Sequence, residues 1–407
     1  MPFRIALSGL NAASSELRVV GNNVANASTT GFKKSRTEFA DIYSVASLGN
    51  VGQAIGSGVA VASVAQQFSQ GNISFTDNGL DLAVSGQGFF RLSDQGAVVY
   101  SRAGAFGVDR DGYIVNAQDQ RLTAYLADSA GNITGAVGDL RLDTSDIAPR
   151  ASTLVEVGVN LDATSSTPPA FNVNDPTTYN SSTSLTVYDS LGTAHLATTY
   201  FRKTATANEW ETHLFIDGTE ATPTTSGTLT FNADGTLASP AGGSVAYDAF
   251  SIAGADDLSL TLDYQTNTPT TQFGSQFGVN FLSQDGYTTG RLSGVDISES
   301  GVVLARFTNG QSRTLGQVAL ANFANAQGLR QLGDTSWAES FESGSPLVGP
   351  PGTASLGLIQ SGALEGSNVD LTEQLVTMIT AQRNFQANAQ VITTADTVTQ
   401  TIINIRR

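Results

Sequence analysis

The 407-residue sequence contains no cysteine and only two histidines, His195 and His213. The absence of cysteine excludes disulfide bonds, thiolate metal sites and cysteine nucleophiles. Two isolated histidines offer little material for a zinc site or a proton relay. Charged residues make up 14% of the chain, against about a quarter in typical globular proteins. We therefore expect no catalytic site, no metal and no cofactor, and we expect that the protein is not an enzyme.

Long apolar runs are also missing, since no segment approaches the ~20 apolar residues that span a bilayer. Membrane insertion is not expected. A cleavable secretory signal is not predicted either, because Ser8, Gly9 and Asn11 interrupt the apolar stretch that would have to follow Arg4.

The formal net charge is −16. Its acidity lies between the termini, because the first 40 residues carry five Lys/Arg against two carboxylates. An acidic body argues against nucleic acid as a partner, since phosphate contacts need clustered cations. We interpret the basic run Lys33, Lys34 and Arg36 as a solvated turn.

Both ends of the chain carry apolar residues at alternating steps of three and four, the spacing of a coiled-coil seam. The N-terminal stripe contains Phe3, Leu7, Leu10, Leu17 and Val24, and the C-terminal stripe contains Leu371, Leu375, Met378, Phe385, Ala389, Ile392 and Ile403. Asp370 and Glu373 predict a capping box, and the lack of Gly and Pro from 367 to 407 predicts one helix of about 35 residues. We interpret these stripes as an assembly core that becomes ordered when neighbouring copies cover it.

The residues between the termini form short β-branched and aromatic runs that end in Asp-Gly or Asn-Gly turns, which predicts antiparallel sheets. The predicted fold is mainly β with terminal α-helices, in which nested all-β domains lie between the two parts of an α-helical coiled-coil domain. The predicted domains are a helical core (1–27 plus 367–407), a connector (28–70 plus 356–366), an inner β domain (71–148 plus 286–355) and an inserted outer β domain (149–285).

Two short motifs imitate ligand sites. Asp109-Arg110-Asp111-Gly112 begins like a calcium loop, but Gln120 stands where a bidentate glutamate is needed. We interpret it as a hairpin turn. Gly86-Gln87-Gly88 begins like a dinucleotide loop, but Arg91 occupies the position of the third glycine.

Several blocks of sequence resemble the bacterial flagellar rod and hook axial proteins, and among them most closely the hook proteins. The blocks are Ser8–Ala13, Gly21–Asn26, Thr30–Lys33, Asn78–Phe90, Tyr100–Phe106, Gly316–Leu329, Gly362–Leu371 and Gln382–Phe385. The insertion around Val187–His195 favours a hook protein over a distal rod protein, which lacks it. The resemblance is good over the termini and inner β domain and thins over 220–285.

The resemblance implies a structural subunit of the flagellar hook, a curved hollow tube that acts as a universal joint and transmits torque from the motor rod to the filament. It implies a helical homopolymer with a core of terminal helices. Implied partners are the rod and hook–filament junction proteins, the hook cap and the flagellar type III export apparatus. Phe39 and Tyr43 match the family's export-gate segment. The alternatives are a distal rod subunit and, from another class, a secreted β-rich hydrolase or adhesin.

Overall fold

The structure, a computed structural model, describes residues 2–42, 56–128, 130–143 and 145–405. The chain divides into two compact units. Unit 1 comprises Met1–Asp143, Gly294–Arg306 and Ser312–Arg407, and unit 2 comprises Thr144–Ser293 and Phe307–Gln311. The prediction of a mainly β fold with a helix at each end is confirmed.

The terminal helices of unit 1 are α1 (Pro2–Ala25) and α2 (Leu371–Ile405). The single 35-residue C-terminal helix is confirmed. Asp370 caps it, because its Oδ1 accepts hydrogen bonds from the backbone N–H groups of Thr372 at 2.8 Å and Glu373 at 3.2 Å. The capping box also predicted a bond from the Glu373 side chain back to Asp370. The Glu373 carboxylate instead pairs with Lys34 Nζ at 2.9 Å. Neither described helix combines the length and apolarity needed to cross a membrane.

Strands precede and follow unit 2 in the chain. The first group contains β1 (Ser35–Asp41), β2 (Val59–Gln66), β3 (Ile73–Phe75), β4 (Leu82–Ser85), β5 (Phe89–Asp94), β6 (Ala97–Ser101), β7 (Gly107–Val108), β8 (Ile114–Val115), β9 (Arg121–Ala127) and β10 (Ile133–Asp139). The strands of unit 2 are β11 (Leu154–Asp162), β12 (Ser181–Tyr188), β13 (Ala194–Lys203), β14 (Glu209–Ile216), β15 (Thr219–Ala221), β16 (Thr228–Phe231), β17 (Leu237–Ser239), β18 (Ser244–Ala246), β19 (Thr261–Asp263), β20 (Thr271–Phe273) and β21 (Gly278–Gln284). The last group contains β22 (Leu292–Ile297), β23 (Val302–Phe307), β24 (Ser312–Val318), β25 (Leu320–Asn322), β26 (Arg330–Gly333), β27 (Ser336–Ala338), β28 (Leu347–Gly349), β29 (Leu358–Ser361) and β30 (Ala363–Glu365).

The main sheet of unit 1 joins strands from both ends of the sequence, in the order β22-β23-β24-β9-β5-β6-β27-β26. Its core contains Leu92, Leu122 and Leu320, all fully buried. Two short antiparallel strand pairs, β3–β30 and β4–β29, also connect strands that precede unit 2 with strands that follow it. The strands on either side of Asp109–Gly112 pair antiparallel, so the hairpin turn predicted there is confirmed.

Unit 2 consists of two sheets around one apolar core. One sheet has the order β18-β19-β11-β20, with β21 beside β11, and the other has the order β12-β13-β14-β16-β17, with β15 beside β14. Side chains from both sheets, among them Val157, Phe201, Trp210 and Leu262, are at most 1% exposed. Buried and half-buried residues alternate over the first six positions of β14, which is the period-two pattern expected of such strands.

Candidate assembly core at the terminal helices

Helices α1 and α2 pack against each other in antiparallel orientation. The buried Asn23 side chain donates to Gln374 Oε1 at 3.0 Å, and Gly9 lies against the Asn388 side chain. Both helices advance 14 residues between these contacts, which is two heptads. Continued in this register, Pro2 lies level with Ala395, so α2 extends past α1 by its last ten residues.

Small and amide residues line the contact between the helices. In α1 the buried residues are Ala6, Ala12, Ala13, Val20 and Asn23, and in α2 they are Gln374 and Ala381. Strands β1 and β2 also pack against α1 and contribute to this burial. Half-buried Met378, Phe385, Asn388 and Ile392 continue the α2 side at steps of three and four. Gly9 permits the close approach, because a Cβ atom there would lie 2.5 Å from Asn388 Oδ1. Alanine and glycine at the contact bury little apolar area, so much of each helix remains uncovered.

The predicted stripe residues fall into two groups. Phe3, Leu7, Leu371, Leu375 and Ile403 are 44–60% exposed. Leu10, Leu17, Val24, Met378, Phe385, Ala389 and Ile392 are half-buried. The periodicity of the stripes therefore located the helices, while the tightest part of the α1–α2 contact is made by residues outside the stripes. Whether the stripes form an assembly core stays a prediction.

An apolar groove follows the outer side of α2 near its end. It encloses about 720 Å³ and is lined by Phe3 of α1 and by α2 residues that include Ala387, Val391, Ala395 and Val398. Beyond the groove, Ile402 and Ile403 are about 60% exposed. The helix pair thus presents apolar surface along its length and past the end of α1.

A buried ionic cluster lies within unit 1, where the segment between α1 and β1 meets β30 and the end of β6. Glu365 accepts from Lys33 Nζ at 2.7 Å and from Arg102 Nη1 at 3.2 Å, and the Lys33 and Glu365 side chains are 0% exposed. Lys33 also donates to the Ser69 carbonyl at 2.8 Å, and the Gly71 N–H donates to Glu365 Oε1 at 2.8 Å. Four segments of chain therefore converge on one carboxylate.

The cluster holds two cations and one anion. Burial lowers the pKa of Lys33 and the pKa of Arg102, and the neighbouring Glu365 charge opposes that change in both. The interpretation of the basic run as a solvated turn is therefore wrong for Lys33. Arg36 is exposed and pairs with Glu38, but it lies in β1 and not in a turn.

Two asparagines complete the junction between helices and strands. Asn368 Oδ1 accepts from the Lys34 N–H at 2.7 Å, and its Nδ2 donates to the Gln67 carbonyl at 2.8 Å. Asn23 bonds both backbone groups of Ser35, at 2.8 and 2.9 Å. Such two-sided amide bonds replace backbone pairing where strand and helix meet.

Sequence reasoning did not assign these polar residues a role. A signal was available, because Asn23, Lys33, Arg102, Glu365 and Asn368 all lie inside the blocks on which the family resemblance rests. Of the two export-gate candidates, Phe39 lies in β1 and is 41% exposed. Tyr43 lies outside the described residues.

Comparison with known proteins identifies the family. The flagellar hook protein FlgE of Salmonella typhimurium is 40% identical to this chain over 422 residues, covering 100% of both proteins. The chain belongs to the flagellar hook protein family. The hook protein FlgE of Escherichia coli is 38% identical with the same coverage, and that of Borreliella burgdorferi is 34% identical over 98% of each chain.

Four family models match successive parts of this hook protein family member. They are the flagella basal body rod protein (3–33), the flagellar hook protein FlgE/F/G D1 domain (83–164), the flagellar basal body protein FlaE D2 domain (160–287) and the flagellar basal body rod FlgEFG protein C-terminal (360–405). The crystal structure of Helicobacter pylori flagellar hook protein FlgE2 aligns with a TM-score of 0.54 at 15% identity. That alignment covers 72% of this chain and all of the other, and it shows the shared fold.

The chain is a subunit of the flagellar hook, located in the basal body structure of the flagellum. Its full-length similarity to hook proteins does not favour the distal rod, hydrolase or adhesin alternatives. Membership of this structural family implies self-polymerisation in a flagellar setting.

Proposed function

We propose that this hook subunit polymerises by burying the outer faces of α1 and α2 against the helices of neighbouring copies. The observation that carries the proposal is the exposure of Phe3, Leu7, Leu371 and Leu375 on a helix pair whose internal contact is made by smaller residues. Helices with apolar residues on several sides are typically buried on several sides by neighbouring elements. The groove beside Phe3 adds apolar surface that a single chain leaves in water.

The proposed action is mechanical and not enzymatic. Close apolar contacts between helices resist separation and so carry torque. Unit 2 exposes hydroxyl side chains along β12, where Ser182 and Ser184 alternate with less exposed residues. Polar surfaces of this kind exchange protein contacts for water at little net cost. Neighbouring copies of unit 2 can therefore shift against each other as the hook bends.

The proposed partners beyond other copies are the rod and hook–filament junction proteins, the hook cap and the type III export apparatus. An exported chain must unfold, and the lack of cysteine means that no disulfide has to be broken first. The exposed Phe39 ring is available to an export gate before assembly. A Phe39→Ala variant that is secreted at the wild-type level would remove Phe39 from this role.

Replacement of Leu375 by aspartate tests the assembly core. Leu375 is 51% exposed, so Leu375→Asp leaves the folded single chain largely intact but places a charge where a neighbour would bury it. Leu196→Asp is the matched control, because Leu196 is a similarly exposed leucine (54%) in unit 2 and belongs to neither helix. We expect no polymer from Leu375→Asp, measured by sedimentation and electron microscopy, and normal polymer from the control.

The unfolding temperature of each variant in its unassembled state separates assembly from folding. Unchanged unfolding of Leu375→Asp together with loss of polymer supports the proposal. Normal hooks and normal motility with Leu375→Asp would refute it.

A further inference from the structure

One loop of unit 1 holds an aromatic ring completely in water. Phe341 has a relative exposure of 102%, and the next most exposed large apolar side chain among the described residues, Phe75, reaches 76%. The ring therefore makes almost no contact within its own chain. A phenylalanine in this position contributes nothing to the core of unit 1. A fully exposed aromatic ring is instead typical of a contact with another molecule.

Hydrogen bonds fix the shape of this loop. Ser340 Oγ donates to the Gly328 carbonyl at 2.5 Å and accepts from the Glu342 N–H at 3.1 Å. Ser343 is fully buried, donates to the Ser340 carbonyl at 2.9 Å and accepts from the Ser340 N–H at 2.9 Å. The loop also lies tightly on Gly328, where a Cβ atom would approach Glu342 C to 2.5 Å. The exposure of Phe341 is consequently imposed by a rigid turn.

Two carboxylates flank the ring. Glu339 and Glu342 are both exposed, and neither forms a salt bridge within the described residues. The Glu339 carboxylate does interact with the side chain of Tyr100. Beside the ring is a shallow concavity lined by Glu339, Ser340, Gly344 and Ser345. The loop therefore presents an apolar ring flanked by two exposed negative charges.

A second surface of unit 1 has the opposite character. Val108 is 42% exposed at the β7–β8 hairpin, and the guanidinium carbons of Arg121 and Arg141 lie 3.9 and 5.7 Å from the centre of the Tyr113 ring. Arg121 pairs with Asp139, whereas Arg110 and Arg141 have no carboxylate partner in the described part of the chain. The carboxylate of Asp109 in the same turn accepts from the backbone N–H groups of Asp111 and Tyr113. We call Val108, Arg110, Tyr113 and Arg141 the arginine patch.

We propose that Phe341 of one copy docks on the arginine patch of a second copy, with the ring against Val108 and Tyr113 and the carboxylates of Glu339 and Glu342 facing Arg110 and Arg141. Two exposed carboxylates and an apolar ring would meet an apolar surface and two guanidiniums that form no salt bridge within the described residues. The contact joins two different surfaces, and such head-to-tail contacts generate helical polymers when they do not close into a ring. It lies on the β part of unit 1 and is independent of the helix faces.

Cross-linking tests this contact directly, because the chain has no cysteine of its own. Two variants, Phe341→Cys and Val108→Cys, are co-assembled into hooks in a strain without its own hook protein and then oxidised. We expect covalent dimers in the mixed hooks and none in hooks built from either variant alone. Dimers from Phe341→Cys alone would mean that the loop meets itself, and mixed hooks without dimers would mean that the loop docks elsewhere. Either result overturns the proposal.

Charge exchange provides a second readout. Glu342→Arg is expected to raise the protein concentration needed for polymerisation roughly tenfold, and Arg110→Glu in the same chain is expected to restore it. Phe341→Ala should have an effect of similar size, while Phe341→Tyr keeps the ring and should assemble normally. The proposed pairing of Glu342 with Arg110 is contradicted if the double variant does not regain polymerisation while its unassembled chains unfold as the wild type does. A wild-type chain that never polymerises would count against the proposed function and not against this contact.

Discussion

The buried carboxylate of Glu365 provides the sharpest test of how the terminal segments are fastened to the strands. Glu365→Gln keeps the shape of the side chain but removes the one negative charge that faces Lys33 and Arg102. Two cations then remain buried without an anion. Removing one partner of a buried ion pair costs about 3–5 kcal/mol. For a unit of ~250 residues this lowers the unfolding temperature by about 10 °C.

Lys33→Met is the matched comparison, because it removes one cation and leaves Glu365 paired with Arg102. Its expected cost is about 1–3 kcal/mol, because the Ser69 carbonyl loses one of its two donors and keeps only Asn368 Nδ2 at 3.1 Å. Calorimetry and urea unfolding of the unassembled chains measure both values. A loss below about 1 kcal/mol for Glu365→Gln, or a larger loss for Lys33→Met, would refute the assignment of Glu365 as the stabilising partner.

The same variant has a pH signature. Burial already lowers the pKa of Lys33 from 10.5, and removal of Glu365 lowers it further because the carboxylate raises it. When the folded-state pKa of a group lies below its unfolded-state pKa, the unfolded chain binds more protons at every pH between these two values. The unfolding free energy of Glu365→Gln should therefore rise as the pH approaches 10.5, and more steeply than that of the wild type.

Three further predictions concern the helices and unit 2. Gly21→Ala, at a helix position where an added Cβ meets nothing within 4 Å, should stabilise α1 by up to about 1 kcal/mol, seen as a higher unfolding temperature in circular dichroism. Gly9→Leu should separate the helices, because even a Cβ there meets Asn388, and should reduce helicity in the same measurement. Hydrogen bonding to Asp217 raises the pKa of His195 above 6.5, so its contribution to stability is complete below pH 6.5 and is lost as the pH rises through the folded-state pKa. His195→Asn removes this titrating group, so the unfolding free energy of unit 2 should fall less with rising pH in the variant than in the wild type. An unchanged pH profile would contradict the assignment.

Periodicity was sufficient to locate both helices, and turn chemistry was sufficient to locate the hairpin at Asp109–Gly112. The C-terminal helix carries its own start signal at Asp370 and no internal breaker, so local rules determine its bounds. The N-terminal helix differs in one respect, because it contains Gly21, a residue of low helix propensity. The partner helix offsets the low helix propensity of glycine, and a single sequence does not reveal that partner.

The contact between the helices could not be predicted from large apolar residues. Ala6, Ala13 and Ala381 are more deeply buried than the leucines of the stripes. Close packing selects small residues, whereas a search for apolar stripes gives weight to large ones. The uncovered leucines are the surface on which the assembly proposal depends.

The burial of Lys33 was also beyond local reasoning. Its partner Glu365 is 332 positions away in the sequence, and the run Lys33-Lys34 looks solvated when it is considered alone. Only the return of the chain from unit 2 brings β30 back to β3 and places the carboxylate beside the lysine. Long-range closure of this kind leaves no periodic signal in the sequence.

Amide hydrogen exchange in the unassembled chain and in assembled hooks tests the central proposal most directly. The proposal predicts that α1 and α2 exchange quickly in the single chain and become strongly protected in the hook, with the largest gain at 396–405, beyond the end of α1. Core strands such as β5 and β9 should be protected in both states. Helices that are already as protected as these strands in the single chain, with no gain on assembly, would contradict it.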